Sequence, residues 1–182
     1  SCGDIAVSVY SGWLAYSTFD HDWVKQQIET TSVNTVLEKN WPGLHIEPLQ
    51  APENMEVLIG WTGSPASSPH LVSEVKRLKA DPAFYGEFLD HSHQCVEYLI
   101  HAFKTNNIKG VQKMIRQNRA IIRKMDDQAS VDIETDKLKS LCDIAEKHGG
   151  AAKTSGAGGG DCGITIIPVS YTHLTLPTKR IV

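Results

Sequence analysis

The chain has 182 residues, 41% of them hydrophobic and 21% charged, with a formal net charge of −3 and a pI of about 6.2. Such a composition is ordinary for a globular protein. It is long enough to bury a core and carries no overall positive field to attract nucleic acid. No apolar run is long enough to span a membrane, and the four cysteines (Cys2, Cys95, Cys142 and Cys162) form neither a C-x-x-C pair nor a disulfide framework. Their usage suggests the reducing cytoplasm. Eight histidines are scattered. His91 and His93 stand two apart in a helical pattern and so point to different faces, and no metal site is expected.

Taken in order, "DIAVSVYSGW" places Ile5, Ala6 and Val9 at helical spacing, with Gly12 as a stop. "WLAYSTF" alternates as a strand does. "DHDWVKQQI" predicts a short helix capped by Asp20 or Asp22, and "SVNTVLEKN" a further one before Trp41-Pro42-Gly43. "LHIEPL" and "MEVLIGW" predict strands, and "TGSPASSPH" a loop. From Leu71 to His148 the pattern is helical, in four segments: "HLVSEVKRLKA", "AFYGEFLDHSHQCVEYLIHAFKT", "IKGVQKMIRQNRAIIRKM" and "ETDKLKSLCDIAEKH". Thr135 or Asp132 starts the last, and Gly149-Gly150 ends it. "CGITIIPV" predicts a final strand. This order implies an α+β fold with a helical layer over an antiparallel sheet.

Between the last helix and the last strand lies "KTSGAGGGDCG". It is not a dinucleotide fingerprint, because Asp161 occupies the third glycine position. It is not a Walker A loop either, because Gly163 is followed by Ile164. Both motifs also run from strand to helix, whereas this loop is expected to leave a helix and enter a strand. Four glycines in five positions (Gly156, Gly158, Gly159 and Gly160, around Ala157) exceed what a tight turn needs. Successive glycine amides can form a concave anion-binding nest, with Thr154 and Ser155 as hydroxyl donors and Lys153 as a mobile positive charge.

The third helical segment offers a second clue. Val111, Ile115, Asn118 and Ile122 share one face, and Lys109, Lys113, Arg116 and Arg123 another. Asn118 interrupts the apolar stripe, where its amide needs partners, and Arg119 at its border can reach inward. The pair suits either a pocket for a polyanion, arginine being a bidentate phosphate ligand, or a structural cap and ion pair.

These segments together resemble the GHMP small-molecule kinases. "KTSGAGGGDCGI" is similar to the third signature of that superfamily in the version of the bacterial phosphomevalonate kinases. "SCGDIAVSVYSGW" resembles the segment carrying its catalytic aspartate, which falls on Asp4. "LIGWTGSPASS" resembles its strand and substrate loop, with Ser68 where relatives often carry Thr. "NRAII" and "IETDKLKSLCDIAE" resemble its C-terminal helices. The likeness spans about residues 1–168. The ATP-cradling second signature, the N-terminal lysine segment and the last strand and helix are absent, so the resemblance implies a C-terminal fragment of a GHMP-kinase-like fold, incomplete at the N-terminus. The expected organisation is residues 1–50 as the end of the N-terminal domain, 51–168 as the C-terminal domain, and 169–182 as a non-native tail.

The resemblance also implies an activity: transfer of the ATP γ-phosphoryl group to 5-phosphomevalonate in the mevalonate pathway, giving 5-diphosphomevalonate and ADP. Mg²⁺ would arrive with ATP and find its protein ligands mainly outside this chain, which alone would be inactive. Ser155 and the backbone from Gly156 through Ala157 to Gly160 would cover phosphates. Asp4 would orient a lysine from the absent segment, or simply satisfy a helix N-terminus. Ser64 and Ser67, with Ser68, would bind a carboxylate or phosphate, or satisfy a Pro/Ser turn. No nucleic acid or membrane partner is expected. The alternatives are a non-enzymatic small-anion-binding module and another GHMP kinase, such as mevalonate kinase.

Overall fold

The computed structural model describes residues 2–65, 79, 81–156 and 158–170. It divides into two compact units, residues 1–51 and 52–182.

In the first unit, α1 (Gly3–Tyr10) buries only Ala6 and leaves Ile5, Val7, Val9 and Tyr10 exposed. Ser11 and Gly12 then take left-handed φ values of 58° and 69° and stop the helix. β1 (Trp13–Ser17) pairs antiparallel with β2 (His45–Leu49), Trp13 opposite Leu49 and Ser17 opposite His45. A two-stranded sheet consists of edges, which is why Pro48 is tolerated inside β2. Between the strands lie α2 (His21–Thr30) and α3 (Val33–Leu37). The Asp20 carboxylate caps α2, accepting from the amides of Asp22 and Trp23 at 3.0 Å each. Ser32 caps α3. The Trp41 indole N–H donates to the Val36 carbonyl at 2.8 Å and meets Phe19 edge-on, covering the buried Val36.

The second unit is a three-stranded antiparallel sheet under helices. β3 (Met55–Trp61) and β4 (Ala151–Thr154) flank β5 (Cys162–Pro168). The register sets Met55 opposite Pro168, Trp61 opposite Cys162, and Thr154 opposite Gly163. α4 (Pro82–Lys104) packs on α5 (Ile108–Ala129), while α5 and α6 (Asp136–Lys147) lie on β4 and β5. The expected α+β architecture, a helical layer over an antiparallel sheet, is present. Asp81 caps α4, Asn107 caps α5 and Thr135, not Asp132, caps α6.

α6 lies close because the sheet beneath it is bare. Gly60 and Gly163 face each other across β3 and β5. A Cβ on either would collide with Leu141, at Gly163 within 2.8 Å of its Cδ2. The buried Gln112 fastens α5 to the sheet, donating to the carbonyls of Gly149 at 3.0 Å and Ile166 at 3.1 Å. Among the described residues no helix is long and apolar enough to cross a membrane.

The structure corrects one connection. Residues 151–154 form β4, so the glycine loop joins two antiparallel strands instead of leaving a helix. "AAKT" carries little strand propensity; pairing with β5 and complete burial of Ala151 and Ala152 hold it extended. The loop remains unlike the two nucleotide motifs, since no helix follows it. The helix expected over "HLVSEVKRLKA" lies outside the described residues apart from Lys79, and the tail from 171 onward lies outside them as well.

Candidate functional site

The glycine loop closes a hairpin, with the Ser155 amide donating to the Cys162 carbonyl at 2.8 Å. Gly156, Gly158, Gly159 and Gly160 have φ values of 59°, 77°, 77° and 122°, a region that L side chains avoid. The glycines serve different purposes. At Gly158 a Cβ would lie 2.5 Å from Ile133 Cγ2 and 2.6 Å from its carbonyl oxygen, so this glycine permits packing. At Gly156 a Cβ would meet nothing within 4 Å, and at Gly160 nothing closer than the Ser64 carbonyl oxygen at 3.9 Å. Gly156 is exposed, and the main chain there can be approached without side-chain obstruction.

Two of the loop's glycine amides are already engaged. Gly158 N–H points to the Ser155 carbonyl at 3.4 Å, and Gly159 N–H donates to the Ile133 carbonyl at 2.8 Å. On the other side, the Thr62 amide donates to the Asp161 carbonyl at 3.0 Å, and Lys137 Nζ donates to the Thr62 carbonyl at 3.1 Å. Ser64 is exposed beside Gly160. Ala157, Ser67 and Ser68 lie outside the described residues. Ile133, Thr62 and Lys137 were not singled out by the sequence; only the structure places them against the loop.

Lys153 differs from its expected form. It is not a mobile charge over the loop: its ammonium donates to the neighbouring Thr154 carbonyl at 2.7 Å. Burial pulls its pKa below the ordinary lysine value, partly offset by the Cys142 and Cys95 thiols. Thr154 Oγ1, also buried, has no hydrogen-bond partner among the described residues.

Arg119 reaches inward, and what it meets is carboxylate. Its Nε donates to Glu134 Oε2 at 2.9 Å and its Nη2 to Glu134 Oε1 at 2.5 Å and Asp143 Oδ1 at 2.7 Å. The hydrogen bond to Glu134 is the largest factor holding the guanidinium protonated beyond its normal range. A separate hydrogen bond from Arg119 lowers the pKa of the more exposed Asp143. This is the ion-pair alternative that the sequence left open. Asn118 is half-buried. Arg116, on the basic face, stays exposed. It donates to Glu146 at 2.6 Å and to the Gly150 carbonyl at 2.6 Å, holding the end of α6.

Asp4 belongs to the first unit, exposed in the first turn of α1, where its main-chain carbonyl accepts from Ser8 Oγ at 2.9 Å. Among the described residues no three His, Cys, Asp or Glu side chains converge as a metal site.

Comparison with known proteins gives this arrangement a context. Residues 99–170 match the family model described as GHMP kinases C terminal. The chain is 38% identical over 168 residues to a curated phosphomevalonate kinase of Streptomyces sp. (strain CL190), covering 92% of this chain and 45% of that enzyme. Among solved structures, a Lin0012 protein from Listeria innocua superposes with a TM-score of 0.86 at 42% identity, over 91% of this chain and 46% of that one. A Streptococcus pneumoniae phosphomevalonate kinase in complex with phosphomevalonate and AMPPNP superposes with a TM-score of 0.79 at 29% identity, over 91% and 47%. The chain thus spans about half the length of the relatives it matches.

Proposed function

We propose that this chain, whose residues 99–170 belong to the GHMP kinase C-terminal family, works as part of a phosphomevalonate kinase. The reaction is transfer of the γ-phosphoryl group of ATP to 5-phosphomevalonate, giving 5-diphosphomevalonate and ADP. The observation that carries this reading is the 38% identity to a phosphomevalonate kinase across 92% of the chain. The open, exposed main chain at Gly156 supports it.

In the transfer, an oxygen of the 5-phosphate forms a bond to the γ-phosphorus. The bond from that phosphorus to the bridging oxygen breaks, and ADP leaves with the electron pair. The acceptor phosphate has a second pKa of about 6, so it is largely dianionic at neutral pH and needs no base. What remains for the protein is positioning and charge stabilisation. Ser155 donates a hydrogen bond to a phosphate oxygen, and the bare backbone at Gly156 lets phosphate approach closely. Ser64, beside Gly160, and Ser67 contact the acceptor. Asp4, exposed in the first turn of α1, orients a lysine.

Among the described residues no three His, Cys, Asp or Glu side chains cluster, and no step here depends on a Mg²⁺ held by them. An ion carried with ATP would take its ligands elsewhere and would supply charge neutralisation. A cytoplasmic location belongs to the same proposal.

The test is ADP release by the protein that contains this chain, with mevalonate, 5-phosphomevalonate and 5-diphosphomevalonate offered separately. Turnover with 5-phosphomevalonate alone is expected. Turnover with another of the three would keep the kinase and change its substrate. Silence with all three from folded protein would overturn the enzyme reading in favour of a small-anion-binding module. In active protein, Ser155→Ala and Asp4→Asn should each lower kcat at least ten-fold, and near-normal turnover of Asp4→Asn would remove its role.

A further inference from the structure

Ile133 is held from three directions. Its side chain is buried in an apolar cluster with Met125 and Val131, against which Phe84, Tyr85 and Phe88 pack. Its amide donates to Asp126 Oδ1 at 2.9 Å, and the next amide, Glu134, donates to Asp126 Oδ2 at 2.9 Å. One carboxylate thus fixes two successive peptide units. The Glu134 side chain is in turn gripped by two donors, Nε and Nη2, on one edge of the Arg119 guanidinium. The Ile133 carbonyl points the other way and accepts Gly159 N–H at 2.8 Å. Immediately afterwards Thr135 caps α6, its Cγ2 4.0 Å from where a Cβ on Gly160 would stand.

A loop with four glycines at positive φ has no preferred shape of its own, since glycine loses more conformational freedom on ordering than any other residue. A phosphate contact needs donors held close to their working positions before the ligand arrives. Of the loop's other backbone hydrogen bonds, Ser155 to Cys162 and Gly158 to Ser155 connect it to itself and its hairpin, and Thr62 to Asp161 connects it to the end of β3. The Ile133 carbonyl ties it to the helical layer.

We propose that Asp126 and the Arg119–Glu134 pair are positioning residues for the glycine loop. They lock the 133–134 backbone, and the locked Ile133 carbonyl sets the place of Gly159 and the turn around it. The network contacts no substrate. That the loop so placed serves phosphate rests on the function proposed above; the positioning itself does not.

The experiment is amide hydrogen exchange by NMR on the protein containing this chain, as wild type, Asp126→Asn and Arg119→Lys. Asp126→Asn keeps the shape but turns one acceptor into an NH₂ group facing an amide. Arg119→Lys keeps the charge but loses the fork. Each variant is expected to speed exchange at Gly159 at least ten-fold while the amides of Ile164 to Ile167 in β5 keep their wild-type rates. A merely structural role would speed both together, and that result, or unchanged exchange at Gly159, overturns the proposal. A separate titration of wild type with inorganic pyrophosphate tests the phosphate reading. Slowed exchange across Ser155–Gly160 supports it, and no response there removes it, while the variant comparison still decides the positioning role.

Discussion

Gly158 lies directly against Ile133, close enough that a Cβ would stand 2.5 Å from its Cγ2 and 2.6 Å from its carbonyl oxygen. Gly156, two residues earlier in the same loop, has open space where its Cβ would be. Substitution by alanine should therefore separate the two. Gly156→Ala meets only the left-handed backbone penalty, about 1–2 kcal/mol. Gly158→Ala meets that penalty and displaces the Ile133 backbone, which is pinned by Asp126, adding about 1–3 kcal/mol of overpacking. Denaturant midpoints of the two variants check this, and equal losses would show that Ile133 yields.

Most of the elements were legible in the sequence because their signals are local. Asp20, Ser32 and Thr135 cap helices through bonds to amides two or three residues ahead, and the final strand is a plain run of apolar residues. β4 was not legible, because "AAKT" has weak propensity and is held by its partner strand. The pairing of Gly60 with Gly163 beneath Leu141 joins residues about a hundred apart, and nothing local marks it. The pattern rightly turned Arg119 inward, but its partners Glu134 and Asp143 come from segments whose approach only the fold decides. The glycine run was visible at once. That one glycine serves packing and another leaves open backbone was not, since the distinction depends on Ile133.

Arg119 and Arg116 sit three residues apart on α5, and both form ion pairs, yet they should respond differently to removal. The Glu134 side chain beside Arg119 is 3% exposed, so Arg119→Ala leaves a buried charge without its partner. The expected cost is about 3–5 kcal/mol. The Arg116–Glu146 pair is at 43% and 25% exposure, and Arg116→Ala should cost about 1 kcal/mol. Replacing Arg119 and Glu134 together by methionine should recover much of the larger loss, because no buried charge is then stranded. Urea unfolding of the three variants is the check, and a double variant as unstable as Arg119→Ala would contradict the argument.

The four thiols should divide into two pairs. Cys95 and Cys142 are 1% and 0% exposed, and burial lifts the Cys142 pKa to about 11. Cys2 and Cys162 are half-buried. Burial and the neighbouring Asp161 carboxylate also raise the Cys162 thiol, which slows it. Because the thiolate is the reactive form, iodoacetamide at pH 8 should label Cys2 first and Cys162 more slowly. Cys95 and Cys142 should react only after denaturant is added. Mass mapping of the labelled peptides reads this order, and early labelling of Cys142 would mean that α6 opens from the sheet.

Lys153 gives stability an unusual slope with pH. Its folded pKa is lowered, mainly by burial, from an ordinary value of 10.5. Between the lowered value and 10.5 the unfolded chain holds the proton more firmly than the folded one. Stability therefore rises with pH across that window, since the slope follows the excess of protons on the unfolded state. Below the window both states are charged, and the folded state bears the full penalty of a buried ammonium. Lys153→Met removes the titration altogether. Comparing urea midpoints of wild type and Lys153→Met from pH 7 to pH 10 isolates this group. The difference should move in favour of the wild type as pH rises. A difference constant across the range would mean that the Lys153 ammonium keeps its hydration, and that its bond to the Thr154 carbonyl is made in contact with water.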